Sequence, residues 1–288
     1  MGYNCVVLIK QVPDTTKITG QAMNDDGTVN RAALPAIFNP EDLNALELAL
    51  EIKDEFGGKV TAITMGLPSA ADILREALYR GADEAILVTD KRCAASDTLA
   101  TSYILSCAVK KLDYDIVLCG RQAIDGDTAQ VGPQLAEKLE LPQITYLEEL
   151  LELKDSHITA RRNTGRGWQK VETELPVLLT VTDTANEPRV AAAKRLMKYK
   201  NAQAPVEIEA NPPEQVIDEL GEKGLLIKQW DLDFLGADLN WCGRNGSPTK
   251  VHRIQSVVLT AKESKEIAPT DESVADMVHE LIKDKTIA

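Results

Sequence analysis

Apolar residues recur along the chain in short blocks, separated by longer stretches with helical spacing. Four blocks have the length of buried strands: CVVLIKQV at 5 to 12, VTAITMG at 60 to 66, EAILVTD at 84 to 90 and DIVLCG at 115 to 120. Short strands that alternate with helices need crossover connections, so the pattern predicts a parallel sheet. Between the first two blocks, NPEDLNALELALEIKDEFGG reads as a helix. Asn39 is its candidate cap, Pro40 suits the first turn, and Glu41 and Asp42 complement the dipole. Leu43, Leu46 and Leu50 make its buried stripe, and Gly57 ends it. Ser69 is a candidate cap for ADILREALYRG, as is Ser96 or Asp97 for TLATSYILSCAVKKL. Helix N-termini therefore gather where strands end, and in open α/β sheets ligands bind at those ends near the point where strand order reverses.

Several segments break the rhythm. Pro13 to Pro35 is long and polar, with DDGTVNR reading as a hairpin turn; a solvated insertion is preferred to a lid over the sheet edge. After Pro142 the period changes to two, and ITARRNTGRGWQKVETELPVLLTVT predicts a hairpin added to the sheet, with Gly165 and Gly167 at its tip. NEPRVAAAKRLMKYK then concentrates Arg189, Lys194, Arg195, Lys198 and Lys200, as a docking surface or a solvated face. From about residue 201 the chain turns acidic and proline-bearing and loses its alternation, with a final helix expected at about 271 to 284. Such a tail either decorates its own domain or reaches across a partner. The fold class expected is α/β: an open, mostly parallel Rossmann-like sheet with helices on both faces, plus the hairpin and an extended C-terminal arm. The expected division is an α/β domain at 1 to 200 and the arm at 201 to 288.

Composition supports the class. The chain has 288 residues, 44% of them hydrophobic, but only three Phe and three Trp, which suits helices on a parallel sheet better than an aromatic-rich sandwich. A formal charge of −13 argues against nucleic acid or an anionic membrane as partner. No stretch has the length of a membrane span and the first apolar run is too short for a secretory signal, so a soluble cytoplasmic protein is expected. The five cysteines have no metal-ligand spacing, and Cys5 and Cys119 sit inside apolar runs, so reduced structural thiols are expected. His157, His252 and His279 stand alone, and a surface or capping role is preferred for each.

The densest chemistry is RQAIDGDTAQVGPQLAEKL at 121 to 139, directly after the fourth block. A helix beginning there offers unpaired N–H groups and positive dipole charge to a phosphate. Gly126 and Gly132 permit close approach or positive φ, Thr128 and Gln130 can donate to phosphate or ribose oxygens, and Arg121 is the one full positive charge nearby. Asp125 and Asp127 would be repelled by phosphate, so ribose hydroxyls, the helix cap or Arg121 are their expected partners. The spacing is neither the dinucleotide glycine fingerprint nor a Walker loop, and an ordinary strand-to-helix turn stays open beside an anion or nucleotide site.

GRQAIDGDTAQVGPQLAEKL resembles the nucleotide-binding signature of the beta subunits of electron-transferring flavoproteins. In the same order VVLIKQVPDT resembles that family's first strand, NPEDLNALELAL its first long helix, NEPR with KRLMK its partner-recognition segment, and GSPTKV its late turn. The resemblance covers nearly the whole chain. It implies a heterodimer with an alpha subunit, on which the C-terminal arm packs. Ordinary members hold AMP in the beta subunit; electron-bifurcating members hold a second FAD there. DGDTAQVGP looks like the bifurcating type, since the AMP-holding type has a third acid at Gly126 and an Asn-Gln-Thr-Gly run; SDTLATSYIL is similar to the same branch.

What the resemblance implies for the cofactor site is contact from Leu8, Asn39, Pro40, Glu41, Asp42 and Met65, and from Gln122, Ala123, Ile124, Asp125, Gly126, Asp127, Thr128, Ala129, Gln130, Val131, Gly132 and Pro133, with Ser96, Asp97, Thr98 and Thr101 around the flavin. Arg121 and Arg166 are candidates to stabilise a reduced, anionic flavin, as is an arginine from the partner. The implied activity takes hydride from NADH and divides the electrons between ferredoxin or flavodoxin and, through the alpha-subunit FAD, an acyl-CoA or hydroxyacid dehydrogenase. No residue is needed as general base or nucleophile. Where shuttling members carry a leucine anchor, this chain has Ala193, which implies a more permanent complex or another docking surface. The alternatives are a shuttle subunit holding AMP and a stand-alone nucleotide-binding module of the universal-stress type.

Overall fold

A computed structural model describes residues 2–14, 34–209, 212–249, 266–283 and 286. The expected turn at DDGTVNR, most of the polar connection around it, and His252 lie outside the described residues. Residues up to 252 form one compact unit and those from 253 a second.

In the first unit, strands β1 (Cys5–Leu8), β4 (Val60–Met65), β5 (Glu84–Val88) and β6 (Ile116–Gly120) are four of the nine strands of one sheet. They coincide with the four apolar blocks, and their interior positions are almost wholly buried. Two short strands, β2 (Gln11–Pro13) and β3 (Ala36–Phe38), pair antiparallel outside that sheet. The sheet continues with β7 (Gln143–Lys154), β8 (His157–Asn163), β9 (Trp168–Glu174), β10 (Val177–Val181) and β11 (Lys228–Trp230). Its order is β11-β5-β4-β1-β6-β10-β7-β8-β9, parallel from β11 through β7 and antiparallel at β8 and β9.

Helices cover both faces, as two separate cores show. One face carries Val7, Ala62 and Leu118 against α1 (Pro40–Phe56) and α2 (Ala71–Arg80). The other carries Val6, Leu8, Ile63, Ile86 and Val117 against α3 (Thr98–Val109) and α4 (Val131–Leu139). Successive strand side chains point to opposite faces, so continuous apolar runs such as CVVL feed both cores at once. The chain winds outward from β1 through β4 to β5, then returns to the other side of β1 with β6. The order therefore reverses between β1 and β6.

The hairpin is β8 and β9, with Gly165 and Gly167 at positive φ of 77° and 155° in its turn. The basic segment holds α5 (Ala193–Tyr199) and is sewn to α1: Arg189 pairs with Glu47 at 2.9 Å and with Asp54 at 2.8 Å. Beyond residue 201, the described residues of this unit include the short helices α6 (Pro205–Ile208), α7 (Glu214–Glu222) and α8 (Leu232–Leu235). Regular structure thus continues where the alternation faded. Strand β11 adds to the sheet edge beside β5, with Trp230 buried in the second core.

The second unit contains α9 (Asp271–Lys283), an amphipathic helix with Val274, Val278 and Ile282 exposed along one stripe. No helix among the described residues is long and apolar enough to cross a membrane. All five cysteines are free thiols, and among the described residues no group of His, Cys, Asp and Glu is placed to hold a metal.

Candidate functional site

The carboxyl ends of β1 and β6 diverge at the reversal point, and the start of α1 fills the gap with three polar side chains. Asp42 accepts from the Lys10 N–H at 2.8 Å with one oxygen and from the Gly120 N–H at 2.9 Å with the other. Glu41 accepts from the Gln122 N–H at 2.9 Å and pairs with the Arg121 guanidinium at 2.5 Å. Asn39 donates to the Gln122 carbonyl at 2.9 Å and accepts from the Ile124 N–H at 3.1 Å. These side chains therefore hold the loop that starts at Arg121. Asn39 occupies the cap position of α1, yet its side chain makes no capping bond, because the loop takes both ends of its amide. Pro40 opens the first turn as expected.

The loop closes on itself. The Ala123 carbonyl accepts from the Gly126 and Asp127 N–H groups at 3.2 and 2.9 Å. Lys10 reaches across to pair with Asp125 at 2.8 Å, and Gln122 donates to Asp127 at 3.1 Å. The two acids thus have partners other than Arg121, which Glu41 holds while the ring of Tyr146 lies 5.6 Å away. Asp127 and Ala129 both have positive φ, 48° and 52°, unusual for residues with a Cβ. Gln130 follows in the right-handed region, at φ −102° and ψ −30°. Neighbouring residues of opposite hand turn successive N–H groups to one side, a concavity suited to an anion. Among the described residues no acceptor meets the N–H groups of Ala129, Gln130, Val131 or Gly132. Thr128 is exposed beside them, and Pro133, in the first turn of α4, has no N–H to satisfy.

The two glycines of the loop differ. A Cβ on Gly126 would meet nothing within 4 Å, and its φ is not positive, so the fold itself places no steric demand there. A Cβ on Gly132 would lie 2.8 Å from Thr180 Cγ2 and 2.9 Å from Cys119 Sγ. That glycine lets α4 sit tightly on the sheet.

Helix α3 starts beside α4. Asp97 caps it, accepting from the Leu99 and Ala100 N–H groups at 3.0 Å, and its carbonyl accepts from the Thr101 N–H at 2.9 Å. Its other oxygen accepts from the Thr249 N–H at 3.0 Å. Burial works to raise the Asp97 carboxyl, but the Thr249 hydroxyl and these N–H donors outweigh it and hold the group below its ordinary range. Ser96 turns back to the Cys93 carbonyl at 2.8 Å and takes no part in the cap. Thr98 donates to Gln130 at 2.9 Å, tying the two helix starts together. Ser69 likewise does not cap α2, since it lies in a preceding 3-10 turn and bonds to Gln11.

Leu8 is buried at the end of β1, and Met65, ending β4, packs against the same core. Arg166 is exposed at the tip of the β8–β9 hairpin. The carboxyl edge thus collects Leu8, residues 39–42, Met65 and 121–133, with 96–101 joined through Thr98. The residue pattern did not single out Lys10, Thr249 or Tyr146. Lys10 is the one charge inside the first apolar block; Thr249, in GSPTKV, reaches Asp97 across 152 positions.

Comparison with known proteins adds an independent line. Residues 26–213 match the family model described as the electron transfer flavoprotein domain. The chain is 40% identical, over 96% of its length and 97% of the relative's, to the electron transfer flavoprotein subunit beta of Clostridium acetobutylicum. It is 45% identical to the acryloyl-CoA reductase electron transfer subunit gamma of Anaerotignum propionicum, over 76% of this chain and 83% of that one. A third relative, the caffeyl-CoA reductase-Etf complex subunit CarD of Acetobacterium woodii, is 40% identical over 86% of each chain.

Proposed function

The chain belongs to the electron transfer flavoprotein family as a beta subunit, and from that premise we propose that its carboxyl-edge site holds FAD, takes electrons from NADH, and divides them between two acceptors. Membership removes the universal-stress alternative. Beta subunits of the family pair with alpha subunits, and the heterodimer is the functional unit of this reading.

The observation that carries the nucleotide role is the run of N–H groups from Ala129 to Gly132, without acceptors in the described chain, on a loop strained at Asp127 and Ala129. Strain of this kind persists where surrounding contacts enforce it: Asp42, Glu41 and Asn39 fix the entry to the loop at Gly120, Gln122 and Ile124, and the Ala123 carbonyl and Gln122 amide hold Asp127 itself. A pyrophosphate fits that concavity and the start of α4. Asp125 and Asp127 are turned onto Lys10 and Gln122, which lowers their repulsion of an anion. The open space at Gly126 leaves the main chain approachable.

Thr98, at the adjoining start of α3, and Thr128 would contact the rest of the cofactor. When bound, FAD supplies the two-electron and one-electron chemistry. The protein's share is to bind, orient and exclude water; no proton-transfer residue is required. The low-potential acceptor in this reading is ferredoxin or flavodoxin. The other route runs through the alpha-subunit FAD to an acyl-CoA or hydroxyacid dehydrogenase, a choice supported by relatives named for acryloyl-CoA and caffeyl-CoA reductases. A site in the cytoplasm is part of the same reading, as is a C-terminal arm, 201 to 288, lying on the alpha subunit.

The test is nucleotide released from the purified heterodimer. Two FAD per heterodimer, with bleaching of both on stepwise addition of NADH, is the expected result. One FAD and one AMP, with no response to NADH, makes the chain a shuttle subunit instead.

A further inference from the structure

Strand β1 pairs with β6 as far as Leu8 opposite Cys119, and beyond that register the two strands part. The Lys10 and Gly120 N–H groups stand on either side of the parting, and one buried carboxylate accepts from both. Gly120 is what lets it in: a Cβ there would lie 2.5 Å from Asp42 Oδ1 and 2.8 Å from the Asp42 nitrogen. The loop begins at the very next residue.

We propose that Asp42 is a positioning residue for the nucleotide: its anionic carboxylate clamps the parted ends of β1 and β6 and so shapes the 121–130 loop, and protonation releases the clamp. The inference rests on the reading above that this loop receives a nucleotide, and adds to it a dependence on proton concentration. An ionised carboxylate is purely an acceptor and serves both N–H groups. The neutral acid carries a proton on one oxygen, which loses its charge and becomes a poorer acceptor whose O–H must turn from the facing N–H, so one of the two bonds is weakened.

The surroundings set when this happens. Burial disfavours the charge and pushes the Asp42 carboxyl up to about 7; Asn39, the two N–H groups and the Lys10 charge act in the opposite direction. Lys10 faces it from the end of β1, already paired with Asp125. Glu41 on the same helix and Arg121 beyond β6 face it as an ion pair. From β6 comes the Cys119 thiol, raised by burial and by the two neighbouring carboxylates. The clamp thus stands among groups whose charges are already matched, and its own titration falls near neutrality.

The test uses the full-length chain with FAD as probe, whose pyrophosphate keeps its charge between pH 6 and 8. The Asp42 carboxyl carbon, followed by nuclear magnetic resonance without FAD, is expected to titrate with a midpoint of about 7. FAD affinity of the wild type is expected to fall about tenfold from pH 8 to pH 6, following the ionised fraction, with proton release on binding at pH 7. D42N, which sets an amide donor against one N–H, is expected to bind about tenfold or more weakly at pH 8 and with no slope over that range. A midpoint in the ordinary carboxylate range overturns the proposal, as does a D42N chain that keeps the wild-type slope or affinity. FAD binding with no slope in the wild type overturns the proposal alone, whereas no FAD binding at any pH overturns the nucleotide reading as well. Should D42N not fold, the wild-type titration and proton release decide.

Discussion

Gly126 and Gly132 are six residues apart in one loop-to-helix segment and answer to different demands. Gly132 has no room: its missing Cβ is the clearance between α4 and the buried side chains of Thr180 and Cys119. Gly132→Ala is expected to cost about 1–3 kcal/mol through overpacking, read as a lower urea midpoint. Gly126→Ala meets nothing, so stability is expected to change by less than about 0.5 kcal/mol. A nucleotide lying against that main chain would meet the new methyl group, however, and FAD affinity is expected to drop. Unchanged affinity in Gly126→Ala would place the ligand elsewhere on the loop. At Asp42 the sign of the stability effect follows from a folded value raised to about 7. The unfolded group titrates at about 3.9, so its stabilising share is full below that and is lost as pH rises through about 7. Wild-type stability relative to D42N is therefore expected to decline across that window in urea unfolding at a series of pH values. The residue that shapes the loop thus weakens the fold when charged.

Elements are joined here by a few long-range polar contacts rather than by local signals. Asp97 caps α3 and also holds Thr249, binding the helix start to a segment far along the chain. Asp97→Ala is expected to lose about 1 kcal/mol from the cap and to expose the chain near Thr249 to protease, while Ser96→Ala, outside the cap, leaves both unchanged. On the opposite face Glu47 accepts from the Arg189 N–H and guanidinium, at 2.9 to 3.0 Å, and Asn44 donates to the Asn186 carbonyl at 2.8 Å. The start of the basic segment is thereby part of the helix surface, with Val190 left 84% exposed. Its charge is partly internal: Arg189 pairs with Glu47 and Asp54, and Arg195 donates to the Leu78 carbonyl at 2.7 Å. Glu47→Ala is expected to cost about 1–3 kcal/mol and to quicken tryptic cleavage between residues 186 and 200.

For the whole molecule, binding and folding are linked. A ligand that binds the folded chain alone stabilises it by about 2.7 kcal/mol at a hundredfold excess over its Kd. FAD is expected to raise the melting temperature accordingly, and the rise to shrink as pH falls from 8 to 6. The architecture explains why one carboxylate can matter so much. In a doubly wound sheet the strands separate only where the order reverses, and α1 enters that opening with Asp42 foremost.

Hydrophobic spacing by itself determined the four central strands, the helices between them, the hairpin and the α/β class, because burial imposes a period on neighbouring residues. Residue types, rather than spacing, marked the loop at 121 to 133, directly after a buried strand, as a candidate anion or nucleotide site with an ordinary turn left open beside it. Spacing did not reveal β11, three residues long and stabilised by pairing with β5, nor the placement of β7 beside β10. Nor could it show that Asn39 and Ser69 would turn from capping to other partners, or that Glu41 rather than an aspartate of the loop would hold Arg121. Those outcomes were decided by the tertiary structure, since a hydrogen bond between residues some 80 positions apart leaves no periodicity behind, and a buried donor takes whichever acceptor folding brings within reach.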